Sequence, residues 1–233
     1  MTDHIGSIEW KSPPRASWAR LRSLRSEWGN ISLTRALQYE ALKEADTSGV
    51  LLDIGGGGST PYRHMLNCGI YHSINITEGV NPSWSVEIGE PFPCKPDFYD
   101  VVLCLNTLEH VYDAAFLLGE ASRSLKIGGT IHIATPFLYP VHGCPDDYFR
   151  PTPSWYKQTL SKHSFESIQV QPLVWGPFST GAFLSGLPGP AKRSRMWMAM
   201  GLDILYSRFR TIPGEMRGPS AAALGFWVTA IKK

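Results

Sequence analysis

Residues 50–59, with the sequence VLLDIGGGGS, constrain the fold of this chain more than any other stretch. The first five are mostly apolar and end at a turn signal, which predicts a buried β-strand. Four glycines follow, and Ser59, Thr60 and Pro61 then resemble the start of a helix. A strand, a glycine turn and a helix start are typical of an open α/β sheet. Such a sheet presents backbone N–H groups to a ligand at the carboxyl ends of its strands.

The glycine run lacks the features of two common nucleotide sites. A dinucleotide site needs G-x-G-x-x-G, and Thr60 stands where the third glycine belongs. A phosphate-binding P-loop needs a lysine before its Ser or Thr, and this run contains none. What remains is D-x-G-x-G, with Asp53 at the strand end and Gly55 and Gly57 in the turn. An NAD-dependent oxidoreductase is therefore disfavoured.

A second block, residues 99–135, also predicts a strand followed by a turn and a helix. It opens with YDVVLCL, a nearly continuous apolar run that predicts a central parallel strand. The sequence NTLEH follows at residues 106–110, a helical pattern occupies residues 114–125, and LKIGG precedes a strand at residues 130–135. The block therefore alternates strand and helix, as a doubly wound sheet requires.

Together the two blocks resemble the class I S-adenosylmethionine-dependent methyltransferases. The match runs from about residue 50 to residue 136 in the order and spacing of that family. The resemblance implies a Rossmann-like, doubly wound α/β sheet of seven strands. It also implies that the sheet is mostly parallel with an antiparallel C-terminal hairpin, that helices cover both faces, and that S-adenosyl-L-methionine is the cofactor.

The same resemblance assigns cofactor contacts to side chains at the strand ends. Members of the family hold the ribose hydroxyls with an acidic residue about 20 residues after the glycines. Asn75 occupies that place and Glu78 follows three residues later, so both stay open for this role. Glu87 falls where the family accepts from the adenine amino group, and Asn106 lies where it lines the cofactor. The implied cofactor-binding residues are Asp53, Gly55, Gly57, Asn75, Glu87 and Asn106.

The loop after the fifth strand of the family pattern, about residues 136–153, carries the candidate acceptor chemistry. Its run P-F-x-x-x-x-H-x-x-P-x-D-Y-F-R-x-T resembles bacterial methyltransferases of polysaccharide and small-molecule biosynthesis. His142 is the candidate general base for a hydroxyl acceptor, with Asp146 or Asp147 as its orienter or as an alternative base. The structural alternative is that Asp147 and Arg150 pair and pin the loop. The predicted substrate-binding residues are His110, Tyr139, Tyr148 and Arg150.

The sequence therefore predicts an enzyme that methylates a small-molecule or glycan acceptor, with a hydroxyl favoured. N-methylation of an amine without a strong base stays open. A non-catalytic cofactor-binding relative also stays open, because Asn75 replaces the family's acid. No cluster has metal-ligand spacing, so no metal is expected. The net charge of +2 predicts no bulk attraction to nucleic acid.

The 233 residues are expected to form one methyltransferase domain, residues 1–233. It is expected to carry an N-terminal arm of about residues 1–30 and a lid or packing insertion of about residues 174–220. In that insertion residues 191–210 combine an apolar body with basic flanks. This pattern predicts a helix that packs on its own domain or on a second copy, with peripheral membrane contact as the alternative. Neither an apolar leader nor a membrane-span pattern is present, so a cytoplasmic protein is expected.

Overall fold

The computed structural model describes residues 8–143, 145–209 and 219–233. The strands are β1 (Glu9–Trp10), β2 (Val50–Ile54), β3 (Ile70–Asn75), β4 (Trp84–Ser85), β5 (Tyr99–Leu105), β6 (Leu125–Pro136), β7 (Phe165–Leu173) and β8 (Gly225–Lys232). The helices are α1 (Trp18–Trp28), α2 (Leu33–Glu44), α3 (Ala114–Ser124), α4 (Pro153–Lys162), α5 (Pro177–Leu184) and α6 (Lys192–Phe209). Short 3₁₀ helices cover Arg63–Met65, Glu78–Val80, Leu108–His110 and Pro219–Ala222.

The eight strands form one sheet in the order β1-β7-β8-β6-β5-β2-β3-β4. All neighbours are parallel except β8, which runs antiparallel to both β6 and β7. The predicted doubly wound fold with its antiparallel C-terminal hairpin is therefore confirmed, with one strand more than the seven expected. The extra strand is β1, which pairs Glu9 with Gln169 and Trp10 with Val170. A two-residue strand is too short to produce an alternation signal in the sequence.

Both faces of the sheet are covered, because successive side chains of a strand point to opposite sides. Leu51 and Leu103 belong to the core that includes α1, α2 and α6. Their neighbours Leu52 and Val102 belong to the core that includes α3 and α4. This double burial explains why β2 and β5 are apolar at nearly every position.

The prediction of a helix directly after the glycine turn is wrong. Only the short 3₁₀ helix Arg63–Met65 follows, because the turn closes on itself instead of starting a helix. The Thr60 hydroxyl accepts from the N–H of Gly57 at 2.7 Å. Tyr62, which is 5% exposed, turns inward and its hydroxyl donates to the Asp53 carboxylate at 3.0 Å.

Two helices, α5 and α6, lie in the insertion predicted at about residues 174–220. Asp203 of α6 accepts from the N–H groups of Phe178 and Ser179 at the start of α5, each at 2.8 Å. Met200 and Ile204 are buried on the sheet side of α6, so this helix packs on its own chain. Its opposite side exposes Met198, Leu202 and Leu205.

No described helix has both the length and the apolarity that crossing a membrane requires. Residues 210–218, which include the last residue of the predicted basic and apolar segment and the following part of the insertion, lie outside the described ranges. Peripheral membrane contact through residues 191–210 and a homodimer both stay predictions.

Candidate active site

The glycine turn lies at the carboxyl end of β2, between the ends of β3 and β5. Gly55 has a φ of +87°, and a Cβ on it would lie 1.9 Å from Thr107 Oγ1. A Cβ on Gly56 would lie 2.0 Å from Asp53 Oδ2. The turn is therefore glycine-rich because the side chains of Thr107 and Asp53 approach its backbone on two sides.

Two N–H groups of this turn are bound to neighbouring residues. The N–H of Gly57 donates to the Thr60 hydroxyl at 2.7 Å, and that of Gly58 donates to the carbonyl oxygen of Asn81 at 2.9 Å. A ligand that takes these two groups has to replace those partners. Contacts of Gly55 and Gly57 with a cofactor therefore stay a prediction.

Asp53 lies beneath the turn and is 0% exposed. Its carboxylate accepts from the Tyr62 hydroxyl at 3.0 Å and from the Tyr71 hydroxyl at 2.8 Å. Burial raises the pKa of Asp53 to about 6, and the two tyrosine hydroxyls oppose that rise. Asp53 thus holds the turn in place, and its predicted contact with the cofactor stays untested. The sequence did not reveal Tyr62 and Tyr71 as partners of Asp53, because they lie 9 and 18 residues from it along the chain.

Asn75 ends β3 at the place that the resemblance assigns to the ribose. Its Nδ2 donates to the carbonyl oxygens of Gly55 at 2.7 Å and Gly56 at 3.2 Å, while its Oδ1 accepts from the N–H of Thr77. A carboxylate could not make the first two bonds, because it has no N–H donor. Glu78, just beyond β3, is exposed at the same edge of the sheet.

Asn106 directly follows β5 in the left-handed conformation, with a φ of 52° that asparagine tolerates better than most residues. Its Nδ2 donates to Gln38 Oε1 at 2.9 Å. Gln38, on α2, is 1% exposed, and its Nε2 has no hydrogen-bond partner among the described residues. Sequence reasoning missed Gln38 because it lies inside an ordinary helical pattern.

An ion pair pins the acceptor loop. Arg150 Nη2 donates to Asp147 Oδ2 at 2.6 Å, and Arg150 Nη1 donates to Oδ1 of the same carboxylate. The N–H of His142 donates to Asp147 Oδ2 at 2.8 Å, and His142 Nδ1 lies 3.4 Å from that oxygen. The Arg150 guanidinium holds the pKa of Asp147 well below its ordinary value. Asp147 therefore pins the loop, as the structural alternative expected, and its carboxylate lies beside the His142 ring.

The segment Leu108–His110 is attached to this loop. The N–H of Tyr148 donates to the carbonyl oxygen of Glu109 at 2.9 Å, and His110 Nδ1 donates to the carbonyl oxygen of Asp146. The side chain of Glu109 is 0% exposed, and burial raises its pKa to about 7. One ligand-type atom from each of Glu109, His110 and His142 lies within 4.8 Å of the other two.

Of the remaining predicted residues, Tyr139 and Tyr148 lie in the acceptor loop, whereas Glu87 lies away from the glycine turn. The centroids of the Tyr139 and His142 rings are 4.9 Å apart, so Tyr139 lies beside the candidate base. Tyr148 is exposed, and its hydroxyl donates to Asp146 Oδ2 at 3.2 Å. Glu87 is exposed beyond β4, two strands away from the glycine turn. The structure therefore gathers the loop residues in one group and spreads the cofactor candidates along the edge of the sheet.

Part of the chain is similar to a known protein family. Residues 52–133 match the family model of the methyltransferase domain. This match begins in β2 and ends in β6, so the central part of the sheet is similar to a methyltransferase domain. A stretch of 100 residues is 33% identical to a ubiquinone biosynthesis O-methyltransferase of Saccharophagus degradans and covers 36% of this chain. The same stretch covers 42% of that relative, so the chain matches less than half of its length.

Solved structures with this methyltransferase fold are similar over most of the chain. An S-adenosylmethionine-dependent methyltransferase of Thermotoga maritima has a TM-score of 0.54 and 17% identity, covering 93% of this chain and 100% of that one. The cyclase SpnF has a TM-score of 0.54 and 14% identity, covering 97% and 99%. At such identities the likeness establishes the fold alone, and the reaction has to be argued from the site.

S-adenosylmethionine is the cofactor that the sequence resemblance implies, and the described residues fit it. Gln38 Nε2 is a buried donor without a partner beside Asn106, and the amino-acid end of the cofactor carries a carboxylate acceptor. The ribose hydroxyls and the adenine amino group are donors. Glu78 and Glu87 are exposed carboxylate acceptors at the same edge, with Asn75 beside the turn.

Proposed function

We propose that the chain is an enzyme that transfers the methyl group of S-adenosylmethionine to a hydroxyl group of a small molecule or glycan. One observation supports this proposal most directly. The loop that contains His142 lies at the carboxyl ends of the strands, next to the region that matches the methyltransferase domain model, and Asp147 binds the N–H of His142. The partial relative in Saccharophagus degradans is an O-methyltransferase by name, which supports oxygen over nitrogen as the acceptor atom.

On the cofactor side, each candidate side chain has a proposed partner. Gln38, held by Asn106, donates to the carboxylate of the methionine portion. Asn75 or Glu78 binds the ribose hydroxyls, and Glu87 accepts from the adenine amino group. Asp53 acts through Tyr71 and Tyr62 by keeping the glycine turn in shape.

On the acceptor side, His142 removes the proton from the hydroxyl group, because a neutral oxygen is a weak nucleophile. Asp147 orients the imidazole through its contact with Nδ1. When bound, S-adenosylmethionine supplies an electrophilic methyl group on a sulfonium. Tyr139, Tyr148 and Arg150 of this loop, together with the neighbouring His110, are the proposed acceptor contacts. Asp146 is the alternative base.

Calorimetric titration with S-adenosylhomocysteine tests the cofactor assignment. We expect saturable binding, and no binding of NADH under the same conditions. Gln38→Ala should weaken the binding by about tenfold, since it removes a buried hydrogen bond to a charged group. Gln169→Ala is the matched control, because its side chain bonds Glu9 at the far edge of the sheet. Binding of NADH in place of S-adenosylhomocysteine would refute the proposal.

An acceptor screen with methyl-labelled S-adenosylmethionine tests the reaction. Pools of phenols, sugars and amines are incubated with the protein, and we expect label in hydroxyl compounds. His142→Gln should lower turnover by about 100-fold or more without changing the affinity for S-adenosylhomocysteine. His163→Gln, at the opposite edge of the sheet, is the control. Label in amines alone would establish N-methylation, and binding without any turnover would identify a non-catalytic relative.

A further inference from the structure

Three potential metal ligands meet on the acceptor side of the proposed active site. One ligand-type atom from each of Glu109, His110 and His142 lies within 4.8 Å of the other two. Glu109 and His110 belong to the short helix after β5, whereas His142 belongs to the loop after β6. Because the contributions are separated by about 30 positions, linear spacing could not reveal this cluster, and the sequence led us to expect no metal.

The Glu109 carboxylate is the first sign that the cluster serves a ligand. Its side chain is 0% exposed, and neither oxygen has a hydrogen-bond partner among the described residues. The nearest basic atom is His110 Nε2, 3.7 Å from Oε1. The guanidinium of Arg150 is bound to Asp147 instead. A buried carboxylate without partners is costly, and a bound cation would remove that cost.

The orientation of the two histidine rings is the second sign. His110 Nδ1 contacts the carbonyl oxygen of Asp146, which can only accept, so Nδ1 carries the proton and Nε2 keeps its lone pair. His142 Nδ1 lies 3.3 Å from the carbonyl oxygen of Pro140 and 3.4 Å from Asp147 Oδ2, which are also acceptors. Metal-binding histidines are typically fixed in this way, through an oxygen acceptor on the nitrogen that does not bind the metal.

We propose that Glu109, His110 and His142 bind a divalent transition-metal cation of the zinc type. Imidazole nitrogens together with a carboxylate suit such cations better than magnesium or calcium. Three protein ligands leave at least one position open, as in catalytic zinc sites. Ligand atoms around zinc are about 3.4 Å apart, so the cluster has to contract slightly, and the partly exposed His142 ring can supply the movement.

The chemical role of the cation rests on the proposed function, whereas its binding does not. With the cation in place, the acceptor hydroxyl occupies the open position and its O–H bond breaks, with the proton passing to water. The oxygen lone pair then forms the bond to the methyl carbon while the bond from carbon to sulfur breaks. His142 is then a ligand, and it acts as the base only in the metal-free chain.

Zinc titration of the full chain, freed of metal by chelator, tests the proposal. We expect one saturable site by calorimetry and a rise in melting temperature on adding zinc chloride, with a much weaker response to magnesium. His142→Gln and Glu109→Gln should each weaken zinc binding by about 100-fold or more, and His163→Gln should not. Cobalt substitution should give the visible absorption of a site with nitrogen and oxygen ligands, and that absorption should be absent in His142→Gln.

Glu109→Gln separates a ligand from a structural residue. We expect it to leave the metal-free chain folded, because glutamine keeps the size and shape of the side chain, while abolishing the zinc-induced rise in melting temperature. An unchanged zinc-induced rise in Glu109→Gln, or zinc affinity unchanged in both variants, would overturn the proposal. Titration of the same samples with S-adenosylhomocysteine keeps the two proposals apart. Cofactor binding without zinc binding overturns the metal site alone, and the reverse result overturns the proposed function alone.

Discussion

The hydroxyl of Tyr71 lies 2.8 Å from Asp53 Oδ2 and 3.2 Å from the carbonyl oxygen of Gly57, and so connects a buried carboxylate to the glycine turn. The Arg63 guanidinium stacks on the other side of this tyrosine, 4.2 Å from the ring centroid. The shape of the turn therefore depends on side chains from β2, β3 and the segment that follows the turn.

Tyr71→Phe should lower the free energy of unfolding by about 1–2 kcal/mol, because it leaves a buried carboxylate with one hydrogen-bond donor fewer. The phenyl ring keeps the contact with Arg63, so the loss isolates the hydroxyl. Urea denaturation at pH 7 measures the effect. Tyr148→Phe is the control, since that hydroxyl binds an exposed carboxylate. Equal stability of wild type and Tyr71→Phe would contradict the assigned role.

Asp53 should make the protein less stable as the pH rises from about 4 to 6. Its pKa is 3.8 in an unconstrained chain and about 6 in the fold, so the folded state binds the proton more tightly between these values. The difference amounts to roughly 3 kcal/mol, which is present at low pH and lost above pH 6. Relative to wild type, Asp53→Asn should therefore gain this amount between pH 4 and pH 7. Urea denaturation across that range measures it, and a constant difference would contradict the prediction.

His132 should have the opposite effect over almost the same range. Burial lowers its pKa from 6.5 to about 4, so the unfolded chain takes up the proton first as the pH falls. Its contribution, again roughly 3 kcal/mol, is present above pH 6.5 and lost as the pH falls toward 4. The contributions of His132 and Asp53 oppose each other between pH 4 and 6, so each is read as the difference between a variant and wild type. Relative to wild type, His132→Gln should gain roughly 3 kcal/mol as the pH falls from 6.5 to 4. Urea denaturation across that range measures this difference, and a constant difference would contradict the His132 assignment.

The sheet could be predicted from the sequence because its central strands are recognisable as apolar runs. β2 and β5 are buried on both faces, so apolar residues fill nearly every position and stand out against the turns. The antiparallel β8 followed from the family resemblance, since a single late strand pattern does not specify its neighbours.

The site was harder to predict because its contacts are long-range. Gln38 reaches Asn106 across 68 positions, and Asp53 is bound by tyrosines that no local pattern marks. The helix expected after the glycines failed for the same reason, since Tyr62 is drawn toward Asp53. The pairing of Asp147 with Arg150 was foreseen because the two residues lie three positions apart.

Gly55→Ala should destabilise the protein far more than Gly128→Ala. Both glycines have positive φ values, +87° and +78°. An alanine is strained in that conformation, so the free energy of unfolding should fall by about 1 kcal/mol in both variants. Only the Cβ at Gly55 meets another group, Thr107 Oγ1 at 1.9 Å, whereas nothing lies within 4 Å of the Cβ at Gly128. We expect an additional loss of about 1–3 kcal/mol for Gly55→Ala from this clash. Thermal unfolding measures both variants, and equal losses would show that the turn has room to adjust.

Arg150→Lys should loosen the acceptor loop without unfolding the sheet. A lysine keeps the positive charge but cannot make the two-pronged contact with Asp147, whose carboxylate also holds the N–H of His142. Hydrogen exchange at the Tyr148 amide, which donates to the carbonyl oxygen of Glu109, reports the loop directly. We expect exchange there to quicken by about tenfold, which corresponds to a loss of about 1.4 kcal/mol, while amides of β5 keep their protection. Unchanged exchange at Tyr148 would mean that the loop is held by its other contacts and that the ion pair is dispensable.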